Sequence, residues 1–214
     1  NFNQCDILRI DHFRGFAGYW EVPAYEETAL NGQWQDGPGA HFFSSVLRRF
    51  PQLPVIAEDL GFITPDVREL MREFNFPGMK VLLFAFGDDL ASNPYAPHNI
   101  DRNAVVFTGT HDNNTVRGWF DDEATEGEKA RLFAYLGREV SPDAIHWEMV
   151  RLALMSVAET AILPMQDIIG IGGEGRMNQP SRKENNWHWQ LGPDCLSSEL
   201  AQKLRTLTEM YGRA

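Results

Sequence analysis

Cysteine is scarce in this chain: Cys5 and Cys195 are the two cysteines among 214 residues, and they lie at opposite ends. Two cysteines so far apart do not form the framework of a disulfide-stabilised secreted domain. The sequence also has no apolar run of about 18 residues, the length that spans a bilayer, and no signal-like start. We therefore expect a protein of the reducing cytoplasm that has no membrane partner.

Positive charge is also in short supply. Lys and Arg total 19 against 30 Asp and Glu, which gives a formal net charge of −11. Binding to a phosphate backbone needs clustered cations, so we expect no nucleic-acid partner. Metal motifs of fixed spacing such as HExxH, internal repeats and low-complexity linkers are missing as well.

What the chain does contain is a regular alternation of short apolar runs and helical segments. Hydrophobic residues make up 43% and charged residues 23% of the sequence, as in an ordinary globular enzyme. Such alternation predicts an α/β fold with a parallel sheet and right-handed crossovers. The predicted strands are Cys5 to Asp11, Pro54 to Glu58, Met79 to Phe86, Ala104 to Thr108 and Ala161 to Gln166. The predicted helices are Phe42 to Phe50, Pro65 to Phe74, Glu123 to Gly137, Ile145 to Glu159 and Leu196 to Tyr211.

Three acidic motifs carry the strongest functional signal. They are LRIDHFRG around Asp11, VIAEDLG around Glu58 and VVFTGTHDNNT around Asp112. In each motif an apolar run delivers a carboxylate to the point where a buried strand gives way to a loop. Barrel enzymes keep their catalytic groups at this edge of the sheet.

Acetal cleavage at neutral pH needs one ionised carboxylate and one protonated carboxyl group. The two-residue period of a strand places Arg9 and Asp11 on one side, and a neighbouring guanidinium favours the charged form of a carboxyl group. Asp11 is therefore predicted to be the nucleophile, oriented by bidentate hydrogen bonding from Arg9. Glu58 directly follows an apolar run, and burial there would favour the protonated form that a general acid needs. Asp112 lies among His111 and two asparagines that could bind sugar hydroxyls.

Other interpretations of these motifs stay open from the residues alone. An Asp beside an Arg at a strand end can be a structural ion pair, and Glu58 can cap local backbone before a helix that starts at Thr64. His111 and Asp112 could contribute half of a metal site with Asp11 and His12, although no fixed ligand spacing supports it.

Several other residues are candidates for sugar contacts. Tyr19 and Trp20 offer aromatic faces with polar edges, as does one of Trp187 and Trp189. His98 lies in a loop stiffened by two prolines, and Asn178 could donate hydrogen bonds to sugar. The stretch from Gly170 to Gly175 matches G-x-G-x-x-G, but no helix start follows it, so we expect it to allow close backbone approach rather than to bind a dinucleotide.

The motifs together resemble those of amylomaltase-type 4-α-glucanotransferases, relatives of the α-amylases. The resemblance rests on RIDHFRGFAGYWEVPA, AEDLG, PGMKVLLFAF, THDNNTVRGWF and EGRMNQPSRKENNWHWQL, and it covers essentially the whole chain. It implies the C-terminal part, about strands 4 to 8, of a TIM-type (β/α)8 barrel. Residues 1–214 would then be the C-terminal portion of a single catalytic domain, with the upstream strands absent.

The resemblance also implies an activity and a set of roles. The family moves α-1,4-glucan segments between maltooligosaccharides by a retaining mechanism that needs no cofactor. The resemblance makes Asp11 the nucleophile, Glu58 the acid/base and Asp112 the transition-state stabiliser. Arg9 would be the partner of the nucleophile, and His12 and His111 would be sugar-hydroxyl contacts.

Two rival functions remain. An α-amylase-type retaining hydrolase would use the same three acids, and a glucan-binding fragment would keep them without turnover. A barrel cut before its fourth strand exposes apolar strand edges. We therefore expect the isolated chain to be inactive and to self-associate through these edges.

Overall fold

The computed structural model describes residues 2–213 and has an α/β fold, as predicted. The chain divides into two compact units, Asn1–Met79 and Lys80–Ala214, and the boundary falls within strand β5. The strands are β1 Leu8–Ile10, β2 Gly18–Glu21, β3 Gln33–Asp36, β4 Val55–Ala57, β5 Gly78–Val81, β6 Ala104–Phe107 and β7 Thr160–Ile162. The helices are α1 Gly39–Leu47, α2 Pro65–Glu73, α3 Val116–Gly118, α4 Glu126–Leu136, α5 Ile145–Met155, α6 Met165–Ile169 and α7 Ser198–Met210.

In the first unit, β1 and β4 are neighbouring parallel strands. Their register pairs Leu8 with Val55 and Ile10 with Ala57, and Ala57 is in turn paired with Gly78 of β5. Asp59 adds to the β4–β5 contact, since its Oδ1 accepts a 2.7 Å hydrogen bond from the Met79 N–H. A Cβ at Gly78 would lie 2.6 Å from the Asp59 carboxylate, so this position requires glycine.

An aromatic core supports β1 and β4. Phe13 is fully buried, and its ring lies 5.5 Å from Phe43 and 5.8 Å from Phe76. Buried aromatic rings contribute both apolar area and specific edge or stacked contacts. Because Phe13 follows Asp11 and His12 directly, this core fixes the chain where it leaves β1.

In the second unit, β6 and β7 are parallel, with Val105 paired with Thr160. Helix α4 begins with the capping box of Thr125 and Glu128 and ends at Gly137, where φ is 72°. These are the helix signals that the sequence provides. Helices α5, α6 and α7 share a buried cluster that includes Val150, Leu154, Ile168 and Leu207.

The predicted strands were placed correctly but were too long. Cys5 is exposed and precedes β1, so its assignment to a strand was wrong. The strand expected from Met79 to Phe86 ends at Val81 and continues as a 3-10 helix, Leu82–Phe84. Gln166 lies on α6 and not on a strand, because Pro164 lacks the N–H that a ladder needs and starts the helix.

A β-hairpin, β2–β3, was not predicted. Its two strands are antiparallel, and Trp20 is paired with Trp34. The Trp20 indole N–H donates a 2.8 Å hydrogen bond to the Ala29 carbonyl, which closes the long connection between the strands. Among residues 2–213, no helix has both the length and the apolar character needed to cross a membrane.

Candidate active site

Asp11 and Glu58 follow directly after paired residues of neighbouring strands. Asp11 comes after Ile10 and Glu58 after Ala57, and these two residues are partners in the β1–β4 register. The Glu58 N–H donates to the Ile10 carbonyl at 2.9 Å, so the backbone pairing extends to the site itself. Neighbouring strands lie about 4.8 Å apart. Both carboxylates therefore start from the same edge of the sheet at the spacing of one strand.

Arg9 forms the expected ion pair with Asp11. Its Nη2 donates to Asp11 Oδ1 at 2.8 Å, as strand periodicity predicts. The prediction of bidentate hydrogen bonding was wrong, because Arg9 Nε donates instead to the Met79 sulfur at 3.3 Å. The guanidinium is thus shared between the carboxylate and β5, and one Asp11 oxygen is held while the side chain stays 77% exposed.

Glu58 is held by backbone N–H groups. Its Oε2 accepts from the His12 N–H at 2.7 Å and its Oε1 from the Leu60 N–H at 2.8 Å. The expected apolar surroundings are therefore not found at the oxygens. Each carboxylate oxygen has a second lone pair, so the carboxyl group is oriented and still able to carry a proton.

His12 has an unusual backbone at this site. Its φ of 45° and ψ of 53° place it in the left-handed region, which a non-glycine residue adopts at a cost. This turn directs the His12 N–H to Glu58 and sends Phe13 into the core. The side chain of His12 is exposed, as a sugar contact requires.

Arg14 was missed by the sequence analysis, although it lies in the first motif. Its guanidinium lies 4.5 Å from the centre of the Trp34 ring and donates a 2.5 Å hydrogen bond to the Phe62 carbonyl. It therefore ties the β2–β3 hairpin to the loop that follows Glu58. Tyr19 and Trp20 on this hairpin are 43% and 41% exposed, so both keep accessible ring surface.

Asp112, in the second unit, has partners on both oxygens. Oδ1 accepts a 2.6 Å hydrogen bond from Asn178 Nδ2, and Oδ2 lies 3.4 Å from His111 Nε2. The two side chains of the His111–Asp112 pair are 41% and 47% exposed. Asn178 was predicted to bind sugar; in the structure its amide orients Asp112.

Arg176 is a second residue that the sequence analysis missed. Its Nη2 donates to the Asp112 carbonyl at 3.0 Å, its Nε to the Asn178 carbonyl at 2.9 Å and its Nη1 to Glu123 at 2.7 Å. Arg176 therefore fastens the segment that supplies Asn178 to the loop that carries Asp112. The signal was available, because Arg176 lies in the quoted motif EGRMNQPSRKENNWHWQL, but its partners Asp112 and Glu123 are 64 and 53 residues away in sequence.

The other residues expected to contact sugar differ in how far their side chains already contact protein atoms. His98 has both ring nitrogens near protein atoms: Nδ1 is 3.0 Å from the Tyr135 hydroxyl, and Nε2 is 3.4 Å from the Ala91 carbonyl. Trp187 is 58% exposed and its ring lies 5.3 Å from that of His111. Of the two tryptophans considered for stacking, Trp187 is thus the one beside the Asp112 motif.

Neither a metal site nor a dinucleotide site receives support. Within the described part of the chain, no three His, Cys, Asp or Glu side chains form a group with the geometry of a metal centre. The glycine stretch contains the C-cap Gly170, with φ of 74°, and a short 3-10 helix, Gly173–Gly175. A Cβ at Gly118 would lie 2.8 Å from the Gly173 Cα, so the close approach of the two backbones requires glycine at position 118; the role predicted for the glycines of the stretch itself stays a prediction.

A buried carboxyl group lies beneath the Asp112 loop. Asp167 is 1% exposed, and burial raises its pKa to about 6, although hydrogen bonds from Thr108 and the Val116 N–H lower it. The folded protein therefore holds this proton to a higher pH than the unfolded chain, whose Asp titrates near 3.8. Ionising Asp167 consequently costs folding free energy as the pH rises from about 4 to 6.

Asp167→Asn removes this ionisation. We expect the unfolding free energy of the variant, relative to the unchanged chain, to rise by about 2 kcal/mol between pH 4 and pH 6.5. Urea unfolding of both proteins at several pH values measures the difference. The buried His146, whose pKa is lowered to about 4 mainly by burial, is common to both proteins and cancels. A difference that stays constant over this range would contradict the expected titration of Asp167.

Comparison with known proteins identifies the family of this chain. The family model described as 4-alpha-glucanotransferase matches residues 1–195. The chain is 51% identical to the 4-alpha-glucanotransferase of Synechocystis sp., covering 100% of the chain and 42% of that protein. It is 46% identical to the 4-alpha-glucanotransferase of Aquifex aeolicus, covering 100% of the chain and 43% of that protein.

A solved structure shares the fold. The amylomaltase of Streptococcus agalactiae, in complex with acarbose, superposes with a TM-score of 0.92 at 35% identity, covering 98% of this chain and 42% of that one. The α/β fold with parallel strands is consistent with part of a TIM-type barrel. The chain spans about 42% of the length of these relatives. On the family match over residues 1–195 and the identities of its relatives, this chain belongs to the 4-alpha-glucanotransferase family.

Proposed function

We propose that the complete protein carrying these residues is a 4-α-glucanotransferase that moves α-1,4-glucan segments between maltooligosaccharides. The observation that carries the proposal is the placement of Asp11 and Glu58 after partner residues of adjacent parallel strands. Retaining enzymes keep their two carboxyl groups about 5–5.5 Å apart, and the strand spacing of about 4.8 Å suits that separation. Family membership supports the same activity.

The proposed reaction is a double displacement. Asp11 attacks the anomeric carbon while Glu58 protonates the departing glucan, which leaves a β-glucosyl ester on Asp11. Glu58 then takes the proton of an incoming 4-hydroxyl group, and that oxygen displaces Asp11. Asp112 stabilises the positive charge that develops on the sugar in both steps.

We assign β1, β4, β5, β6 and β7 to strands four to eight of a (β/α)8 barrel, within one catalytic domain. We place the protein in the cytoplasm, with glucans as partners and neither nucleic acid nor membrane. Tyr19, Trp20 and His12 in the first unit, and His98 and His111 in the second, are the proposed sugar contacts.

Two assays separate this proposal from its rivals. The complete protein is incubated with maltoheptaose while binding and product formation are followed in parallel. Transfer predicts products both shorter and longer than maltoheptaose. Binding without any product supports a glucan-binding protein, and products that are all shorter support a hydrolase.

The isolated chain of residues 1–214 is expected to associate and to lack transferase activity. The strands β1 and β7 each have only three residues, so the edges predicted to associate are shorter than expected, and short edges pair less readily. Apolar side chains nevertheless lie exposed beside them, with Ile7 56% and Ile162 40% accessible. Sedimentation of the purified chain, beside a maltotriose assay, measures both properties. A stable monomer with full transferase activity would show that this chain needs nothing further to complete its site.

A further inference from the structure

The short helix α6 holds the loop that carries Asp112 at both of its ends. Asp167, on this helix, is buried, and its two carboxylate oxygens have different partners. Oδ2 accepts a 2.5 Å hydrogen bond from the Thr108 hydroxyl group, and Oδ1 accepts a 2.8 Å hydrogen bond from the Val116 N–H. Thr108 directly follows β6, and Val116 is the first residue of α3. One carboxylate thus closes the loop 108–116 at its base.

The loop is also connected internally. Asn113 Oδ1 accepts from both the N–H and the hydroxyl group of Thr110, at 2.9 and 2.8 Å. The Asp112 N–H lies 3.3 Å from the same hydroxyl group. Because the middle of the loop behaves as one hydrogen-bonded turn, fixing its two ends fixes the position of Asp112.

Packing alone does not hold this loop. A cavity of about 220 Å³ lies beside it, lined by Gly109, Thr110, Asn113, Gln166 and Asp167 among others. Empty space next to a loop leaves room for it to shift. The hydrogen bonds to Asp167 therefore restrain the two ends of the loop, whereas Arg176 and Asn178 restrain its middle.

Gln166, next to Asp167 on α6, holds the segment that contacts the Asp112 loop. Gln166 Nε2 donates to the Gly175 carbonyl at 3.2 Å, and Gly175 directly precedes Arg176, which donates to the Asp112 carbonyl. Helix α6 consequently anchors both the Asp112 loop and the segment that contacts it.

We propose that Asp167 is a positioning residue for Asp112, acting through Thr108 and Val116 and not by touching substrate. The proposal rests on the transferase function proposed above. A carboxylate supplies two acceptors for two donors. An asparagine can replace it, because its oxygen accepts from Val116 while its NH2 group donates to a Thr108 hydroxyl group that has rotated. Alanine leaves both donors without a partner and enlarges the cavity.

The test compares Asp167→Ala, Asp167→Asn and Thr125→Ala in the complete protein. Thr125 caps α4 through the Glu128 N–H, so its loss weakens a helix of the same unit without touching the loop. Each variant is characterised by kcat and KM for maltotriose and by amide hydrogen exchange of segment 108–116. For Asp167→Ala we expect kcat to fall about 100-fold, as for a misplacement of about 1 Å, with KM changed by less than about threefold.

Hydrogen exchange in segment 108–116 is expected to become at least about tenfold faster in Asp167→Ala, because the segment would open locally. Asp167→Asn is expected to restore both the slow exchange and most of kcat, and Thr125→Ala is expected to change neither. Unchanged exchange in Asp167→Ala, or equal losses of kcat in Asp167→Ala and Thr125→Ala, would overturn the proposal. If the unchanged protein transfers no glucan, the proposed function fails, while hydrogen exchange still decides whether Asp167 holds the loop.

Discussion

Glu58→Gln is expected to lower the transfer of ordinary glucans by about 10²–10⁴-fold, the usual contribution of a general acid/base, while attack on an α-maltosyl fluoride continues. Fluoride leaves with little protonation, so the first step no longer needs Glu58. The second step still needs a base, so the glycosyl ester should accumulate on Asp11. Peptide mass mapping after incubation with the fluoride identifies the modified residue.

The structure adds a condition to this experiment. Both Glu58 oxygens accept backbone N–H groups, from His12 and Leu60, whereas a glutamine side chain has one acceptor oxygen. One N–H group therefore loses its partner, which costs about 1–3 kcal/mol when the group is buried. Thermal unfolding of the variant and of the unchanged protein serves as the control that the variant is still folded.

A matched carboxylate controls for general effects of removing charge. Asp66 lies in the first turn of α2, and Asp66→Asn should transfer glucan at nearly the unchanged rate. An adduct on a residue other than Asp11 would reverse the assigned roles. Loss of fluoride release in Glu58→Gln, with folding intact, would do the same.

Asp112→Asn should lower kcat by about 10²–10³-fold, as expected when a preorganised electrostatic partner of the transition state is removed. The shape of the site is kept in this variant. Its side-chain oxygen can still accept from Asn178, and its NH2 group takes the place of Oδ2 near His111. The loss would therefore report the missing negative charge.

The comparison variants for Asp112 separate charge from orientation. Asn178→Ala removes the 2.6 Å hydrogen bond to Asp112 but leaves the charge, so we expect a smaller loss, about tenfold. Glu139→Gln changes an exposed position after α4. It should leave kcat unchanged and should alter the free energy of unfolding by less than about 0.5 kcal/mol. Steady-state kinetics and thermal unfolding of the three variants provide the measurements. A loss in Asp112→Asn no larger than in Glu139→Gln would remove Asp112 from the mechanism.

The sequence was sufficient to find the strand ends and the acids that follow them. Asp11 and Glu58 were recognisable because each follows an apolar run, and Arg9 because alternate residues of a strand share a side. The helix start after Thr64 also follows a local rule, since Pro65 occupies the first helical turn. The start expected at Glu123 was three residues too early, because the capping box of Thr125 and Glu128 begins α4 at Glu126. Predictions that rest on neighbours in sequence were therefore mostly confirmed.

Contacts between distant segments could not be predicted in this way. Asn178 lies 66 residues from Asp112, and nothing in the local pattern shows that its amide meets that carboxylate. Asp167 follows an apolar run just as the three motif acids do, but the predicted strand was extended through Gln166 and hid the short helix that begins after Pro164. The β2–β3 hairpin was missed because its strands are separated by a long loop and not by a tight turn.

The product pattern from maltotriose is the most direct measure of whether the complete protein transfers or hydrolyses glucans. Transfer moves a glucan segment from one molecule to the 4-hydroxyl group of another, so we predict glucose together with maltopentaose and longer chains. The time course should show these longer products from the first minutes, because water does not compete with the acceptor. Maltose and glucose in equal amounts, with nothing longer than maltotriose at any time, would contradict the transferase function.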